Sequence, residues 1–232
     1  MTATPATETT ASTGTTGAYG PTGRTVPTRS RDRARYDRET VHSILDEAYV
    51  CHLGYVRDGA PVVLPTLFAR VGEALYMHGS TGSRPLLAAG RTDPGLPVCV
   101  TVTHVDGLVL ARSAFHHSLN YRSVVVHGTA YQVTDEEECR TALDAMIDAV
   151  APGRSDDVRP ANAKELAATA VIRVDLDEVS AKLRTGPSND DAEDLGLPHW
   201  AGVVPVGRTY GTPVPAADLD PGIALPAYLA AL

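Results

Sequence analysis

The chain has few aromatic anchors: two Phe and one Trp in 232 residues. It also lacks any long apolar run, which excludes a membrane-spanning helix as its organising element. Three cysteines, Cys51, Cys99 and Cys139, are widely spaced and form no C-x-x-C pair. That excludes a disulfide framework and a cysteine-based zinc module and fits a reducing, cytoplasmic setting. Positive charge is in deficit, with a formal net charge of -8, so neither nucleic acid nor an anionic membrane is expected as a partner. There is no G-x-G-x-x-G, no G-x-x-x-x-G-K-[ST], no H-E-x-x-H and no G-x-S-x-G. Rossmann, P-loop, zincin and serine-hydrolase chemistry therefore have no support, and no metal site is expected.

Residues 1–30 are rich in Thr, Pro and Gly and carry no apolar core for a secretory signal. Their composition predicts a disordered or loosely attached arm that could be deleted without loss of folding. The order begins after it. Asp37 is placed to cap a helix whose apolar face is Val41, Ile44, Leu45 and Ala48. YVCHLGYV and APVVLPTLFA flank Asp58-Gly59 and predict a hairpin, with Pro65 marking an edge strand or a bulge. ALYMH predicts a third strand, and Ser83 a cap for a short helix, RPLLAA. A second Asp-Gly pair, Asp106-Gly107, between PVCVTVTHV and LVLARS predicts a second hairpin. A strand from about Tyr121 to Val133 follows, then a helix with Thr134 and Glu137 as capping box, then strand in TAVIRVDLDEVSAKLRT. Six or so strands paired mainly as hairpins, with two peripheral helices, indicate an α+β or small-barrel domain. Beyond Gly186 the chain is acidic and Pro-rich, and the run Asp190, Asp191, Glu193, Asp194 reads as a solvated turn.

Two stretches carry chemistry. In MHGSTGSRPLLAAG, hydroxyls, backbone N–H groups and Arg84 converge on a helix start. This is either an anion site or an ordinary Ser-capped helix with a solvated arginine. In FHHSLNYRSVVVHG, six hydrogen-bonding side chains, His116, His117, Ser118, Asn120, Tyr121 and Arg122, run into a β-branched strand. Adjacent histidines point to opposite faces of a strand, so they cannot chelate one metal.

Together YDRETVHSILDEAYVCHLGYVRDGAPVVLPT, YMHGSTGSRPL, HHSLNYRSVVVHG and AKLRTGPSNDDAEDLGLPHWAGVVP, covering about Tyr36 to Pro205, resemble the FMN-binding split β-barrel superfamily. Pyridoxamine 5′-phosphate oxidase typifies that superfamily, and the resemblance is nearest to its nitroimidazole-reductase-related flavoproteins. The resemblance implies a mainly β, six-stranded antiparallel split barrel over residues 31–185, with residues 186–232 as an extension packed on it. It implies Val63, Leu64, Pro65 and Thr66 beside the isoalloxazine ring and His78, Ser80, Ser83 and Arg84 at the ribityl phosphate. Arg84 is followed by Pro85, where many relatives have a lysine. Asn120, Tyr121, Arg122 and Ser123, and His117 before them, would reach the flavin, often from a second subunit, with Trp200 as an aromatic wall. Ser123 stands where the oxidase has Gln, which argues against vitamin oxidase activity. The implied function is FMN-dependent reduction of a small electrophilic or aromatic substrate by a homodimer, with NAD(P)H as one source of electrons. Flavin storage, or haem or deazaflavin on the same fold, is the alternative. No general acid or base is assigned.

Overall fold

The computed structural model describes residues 17–91 and 94–230. Nine strands form one antiparallel sheet: β1 (Ala34–Arg35), β2 (Val50–Arg57), β3 (Ala60–Val71), β4 (Ala74–Ser80), β5 (Leu96–Leu110), β6 (Ser118–Gln132), β7 (Thr169–Asp175), β8 (Glu178–Arg184) and β9 (Gly202–Pro205). Around them lie α1 (Arg38–Asp46), α2 (Arg84–Arg91), α3 (Glu136–Val150), α4 (Ala163–Ala168) and α5 (Ala227–Ala230). No helix among the described residues is long and apolar enough to cross a membrane.

Six strands close a ring in the order β2, β3, β4, β7, β6, β5 and back to β2. This is the antiparallel split barrel expected. β5 and β6 outrun the ring. Past their barrel contacts, β6 pairs with β8, which carries β1, and β5 pairs with β9. Alternation fills the barrel. Cys51, Leu53 and Tyr55 from β2 meet Val98, Val100 and Val102 from β5, Val124 and Val126 from β6, Leu75 and Met77 from β4, and Ile172 and Val174 from β7. Each such aliphatic side chain withdrawn from water contributes about 1.5–3 kcal/mol before entropy is counted. A second cluster lies outside the ring, where Ala142 and Met146 of α3 cover Ala69, Tyr76 and Val171.

Several local expectations hold. The Asp37 side chain accepts the Thr40 N–H at 2.8 Å and starts α1. Asp58 and Gly59 take φ of 52° and 78°, the left-handed pair that a two-residue hairpin turn requires. Other expectations give way. Asp106-Gly107 makes no hairpin: β5 runs through it, and the register slips there as Val105 faces Tyr121 and Gly107 faces Asn120. The capping box at Thr134 is absent, because Asp135 caps α3 by accepting the Glu138 N–H at 2.8 Å. The stretch from Thr169 to Arg184 is two strands rather than one, β7 and β8, which pair with successive parts of β6 and not with each other. The run at Asp190 is not wholly solvated, since the Asp190 carboxylate takes both the backbone N–H and the guanidinium of Arg112 at 2.9 and 2.8 Å.

Residues 1–16 of the arm lie outside the described residues; from 17 to 30 most residues are exposed, and Tyr19 and Thr25 are buried. Tyr19 is 4% exposed and belongs to the main core. Its N–H donates to the Tyr36 carbonyl at 2.8 Å. Its hydroxyl donates to Glu73 and accepts from His42, both at 2.9 Å, and the Arg38 guanidinium lies 4.4 Å from its ring centre. Burial, then the Glu73 carboxylate, raises the phenol well above its ordinary pKa. One aromatic anchor in a Thr-rich stretch outweighs the composition around it.

Candidate functional site

β3 and β4 pair only from Phe68↔Met77 to Val71↔Ala74. Before Phe68, β3 follows β2 back to the Asp58-Gly59 turn. Beyond Met77, β4 follows β7 through His78, Gly79 and Ser80. The two strands therefore part, and residues 60–67 keep one edge without a strand partner among the described residues. This is the split in the barrel, and Pro65, which has no N–H to offer a ladder, sits on it.

α2 closes the wedge. Its first turn is anchored by the Leu87 N–H to the Ser83 carbonyl at 2.9 Å, and the preceding turn by the Ser83 N–H to the Ser80 carbonyl at 2.8 Å. Between strand edge and helix lies a cavity of about 140 Å³. Leu64, Pro65, Thr66, His78 and Ser83 line it, so the structure gathers five of the residues named from sequence. Val63 is 62% exposed at the rim. Leu53, Met77, Pro85, Leu86 and Ile172 complete the lining. Sequence reasoning missed these because they read as ordinary core, which they also are; the cavity exists only because β3 and β4 diverge beside them.

His78 is half-buried, with Nδ1 3.1 Å from the Met146 sulfur, and burial lowers its pKa. Ser80 and Arg84 are exposed at the loop and helix start. Arg84 makes no hydrogen bond or ion pair among the described residues.

The second stretch does not join this cavity within one protomer. His116 and His117 lie in and after a 3₁₀ turn, Ala114–His116, rather than in a strand. His116 Nε2 meets Asp191 at 3.0 Å, and His117 Nδ1–H donates to the Ser113 carbonyl at 2.9 Å. From Ser118 the strand alternates, which divides the four residues between two faces. Asn120 turns inward, donating to the Gly186 carbonyl at 3.1 Å and accepting from Arg184. Arg122, on the same face, is clamped by two carboxylates. Nε and Nη2 reach Asp106 at 3.0 and 2.9 Å, and Nη1 and Nη2 reach Glu47. The Glu47 and Asp106 hydrogen bonds raise the guanidinium pKa further, and Arg122 in turn lowers that of Glu47. A guanidinium so engaged has little left to offer a ligand. Tyr121 and Ser123 face the other way, and the Ser123 hydroxyl donates to the Lys182 carbonyl at 3.2 Å. Trp200, 67% exposed, stands beside β9 and leans over Gly202, where an added Cβ would lie 2.9 Å from the ring. Among the described residues no group of three His, Cys, Asp or Glu side chains is arranged to hold a metal ion.

The family model for pyridoxamine 5′-phosphate oxidase matches residues 37–183, which span the whole barrel. No curated protein matches the chain. Two solved structures are 39% identical to it. The flavocytochrome Anf3 from Azotobacter vinelandii superimposes with a TM-score of 0.84, covering 92% of this chain and 98% of that one. The FAD and heme binding protein from Mycobacterium smegmatis gives 0.80, with 86% and 96% covered. A protein of Bacteroides thetaiotaomicron assigned to 5-nitroimidazole antibiotic resistance shares the fold at 23% identity, with a TM-score of 0.52 over 64% of this chain and 85% of that one. By the extent of these matches and by its closed ring of six strands, the chain belongs to the pyridoxamine 5′-phosphate oxidase family of split β-barrels.

Proposed function

We propose that the chain binds a flavin nucleotide in the wedge between β3 and β4 and serves as an oxidoreductase acting on a small electrophilic or aromatic substrate. The observation that carries this is the unpaired edge of β3 facing a helix start across an apolar cavity. A flavin is a flat apolar ring with a rim of hydrogen-bonding atoms. The backbone groups on the β3 edge that faces away from β2 suit that rim, Leu64 and Pro65 suit the ring, and the loop before α2 with Arg84, unpartnered among the described residues, suits a phosphate. When bound, the flavin would supply the hydride chemistry. The chain positions it.

The cavity is smaller than the ~300–1,000 Å³ of enclosed ligand sites, so one protomer would cover the ring only in part. A second copy is the proposed cover. Val50, Val63, Leu67, Val105, Leu108 and Leu119 are all exposed and lie on the outer face of β2, β3, β5 and β6, a run of apolar surface that favours association. A monomer that retains flavin in sedimentation would overturn this.

Haem as a second group is favoured by one local feature besides the 39% identity to a flavocytochrome. His117 has Nδ1 fixed by a backbone carbonyl, which leaves Nε2 free, and Phe115 beside it is 88% exposed. A carbonyl-tethered imidazole is a common arrangement for iron ligation. The absorption spectrum of the purified protein tests both readings: flavin bands are expected, and a Soret band adds haem. A protein that neither carries nor takes up FMN or FAD ends the flavin reading. Turnover of a nitroaromatic with NADH or NADPH separates enzyme from store. Arg84→Ala should weaken FMN about tenfold to a hundredfold and leave riboflavin unchanged. Equal losses for both would remove Arg84 from the phosphate.

A further inference from the structure

Residues 24–27 of the arm and the paired strands β6 and β8 enclose a cavity of about 200 Å³ that shares no lining residue with the wedge. Its floor is a square of four side chains. Val125 pairs with Ser180 and Ser123 with Lys182, and residues directly opposite, or two apart on one strand, share a face of the sheet. Its roof is Arg24, Thr25, Val26 and Pro27. The roof is fastened at both ends of the floor. Arg24 pairs with Glu178, two residues before Ser180 on the same face, and the Lys182 ammonium donates to the Arg29 carbonyl at 3.3 Å. Between these points the Tyr36 hydroxyl donates to the Thr25 carbonyl at 3.1 Å.

Val26, Pro27 and Val125 make the lining largely hydrocarbon. Two polar groups among them keep hydrogen-bonding capacity. Lys182 has no carboxylate within ion-pair reach among the described residues, and its bond to Arg29 leaves two N–H donors over. The Ser180 hydroxyl makes no hydrogen bond among the described residues. The other candidates are already engaged: the Ser123 hydroxyl donates to the Lys182 carbonyl at 3.2 Å, and Glu178 neutralises Arg24. One free ammonium beside one hydroxyl matches a single negative charge. A phosphate dianion asks for a second cation and more N–H donors than this floor has. At about 200 Å³ the space falls below the ~300–1,000 Å³ of sites for drug-sized ligands and suits a smaller molecule.

We propose that this cavity binds a small monocarboxylic acid with an apolar body. The carboxylate sits on Lys182 and Ser180, and the body lies between Val125 and the Val26-Pro27 roof. Such a ligand touches sheet and arm at once, so its binding stabilises the docked arm by mass action. The site stands whether or not the wedge holds a flavin.

Calorimetric titration of the full chain with benzoate, and with benzyl alcohol as its uncharged counterpart, tests it. Benzoate is expected to bind about tenfold tighter than benzyl alcohol or more, and to slow tryptic cleavage after Arg24 and Arg29. Lys182→Met keeps an apolar stem and removes the charge. It should weaken benzoate about tenfold or more and leave benzyl alcohol as in the parent. Ser180→Val should weaken benzoate several-fold, and it carries the same test if Lys182→Met does not fold. No binding of benzoate at millimolar concentration overturns the proposal. Equal affinities for the two ligands overturn it as an anion site. Benzoate binding that survives both substitutions unchanged places the ligand elsewhere, and binding that leaves tryptic cleavage unchanged removes the arm from the site.

Discussion

Asp58-Gly59 and Asp106-Gly107 are the same dipeptide in similar settings, each between two strand-forming runs, and the chain uses them in opposite ways. At the first, both residues take left-handed backbone and the strand reverses. At the second, neither has a positive φ; the strand continues and Asp106 becomes the extra residue of a bulge. The first pair has little nearby to contradict it: the Asp58 side chain is 93% exposed, and its one ionic neighbour is Arg57 at 3.7 Å. The second is held from both sides. Arg122 grips the Asp106 carboxylate from β6, and the Val206 N–H takes the Asp106 carbonyl at 3.0 Å after β9. A turn propensity is a local preference of about 1 kcal/mol. Charge-assisted hydrogen bonds at ~1.5–3 kcal/mol each and a strand on either flank exceed it.

The contrast can be broken from the second pair outward. Arg122→Met should cost about 2–3 kcal/mol, because it leaves Asp106 and Glu47 facing each other without their cation. Glu47 is half-exposed, which limits the penalty. Urea unfolding measures it, and a midpoint equal to that of the parent would mean that the bulge does not depend on its clamp. Gly107→Val comes next, at about 1–3 kcal/mol for overpacking. A Cβ at Gly107 would lie 2.9 Å from Val203 Cγ1 and 3.3 Å from the Val204 carbonyl, so β9 has to lift. Amide exchange at Val203 and Val204 should rise with little change in the barrel. At the first pair the effects are smaller. Gly59→Ala meets no neighbour and costs about 1 kcal/mol for its left-handed backbone alone. Arg57→Met should shift stability by less than about 0.5 kcal/mol, as solvated pairs do. A larger loss at Arg57 than at Arg122 would reverse the explanation.

The same distinction decides what was legible in the sequence. The ring itself was, because alternation in YVCHLGYV and PVCVTVTHV, the α1 cap at Asp37 and the first hairpin are all written in neighbours a few residues apart. The wedge was legible in part. Leu64, Pro65, Thr66, His78 and Ser83 were named and do converge, but the volume they enclose depends on where β3 leaves β4, which no local signal states. The Asn120–Ser123 group was read as one polar surface although a strand has two faces, and the carboxylates that claim Arg122 lie in α1's C-cap and in β5. β9 went unseen because four residues, GVVP, are too few to show a period. Tyr19 was hidden by its surroundings, since composition averages over the one side chain that anchors the arm.

Ring closure has a consequence for synthesis. β4 is made early, but the strand that completes its ladder, Thr169–Asp175, emerges only after β5, β6, α3 and α4. Until then β4 can pair only with β3, and the apolar interior of β2 to β6 has no lid. Contacts this distant along the chain make folding slow. A ribosome adding roughly 5–20 residues per second holds the half-barrel open for several seconds. Overproduction should therefore be limited by the fate of that nascent sheet, and slowing growth or supplying holdase chaperones should raise the soluble yield more than stabilising the finished fold.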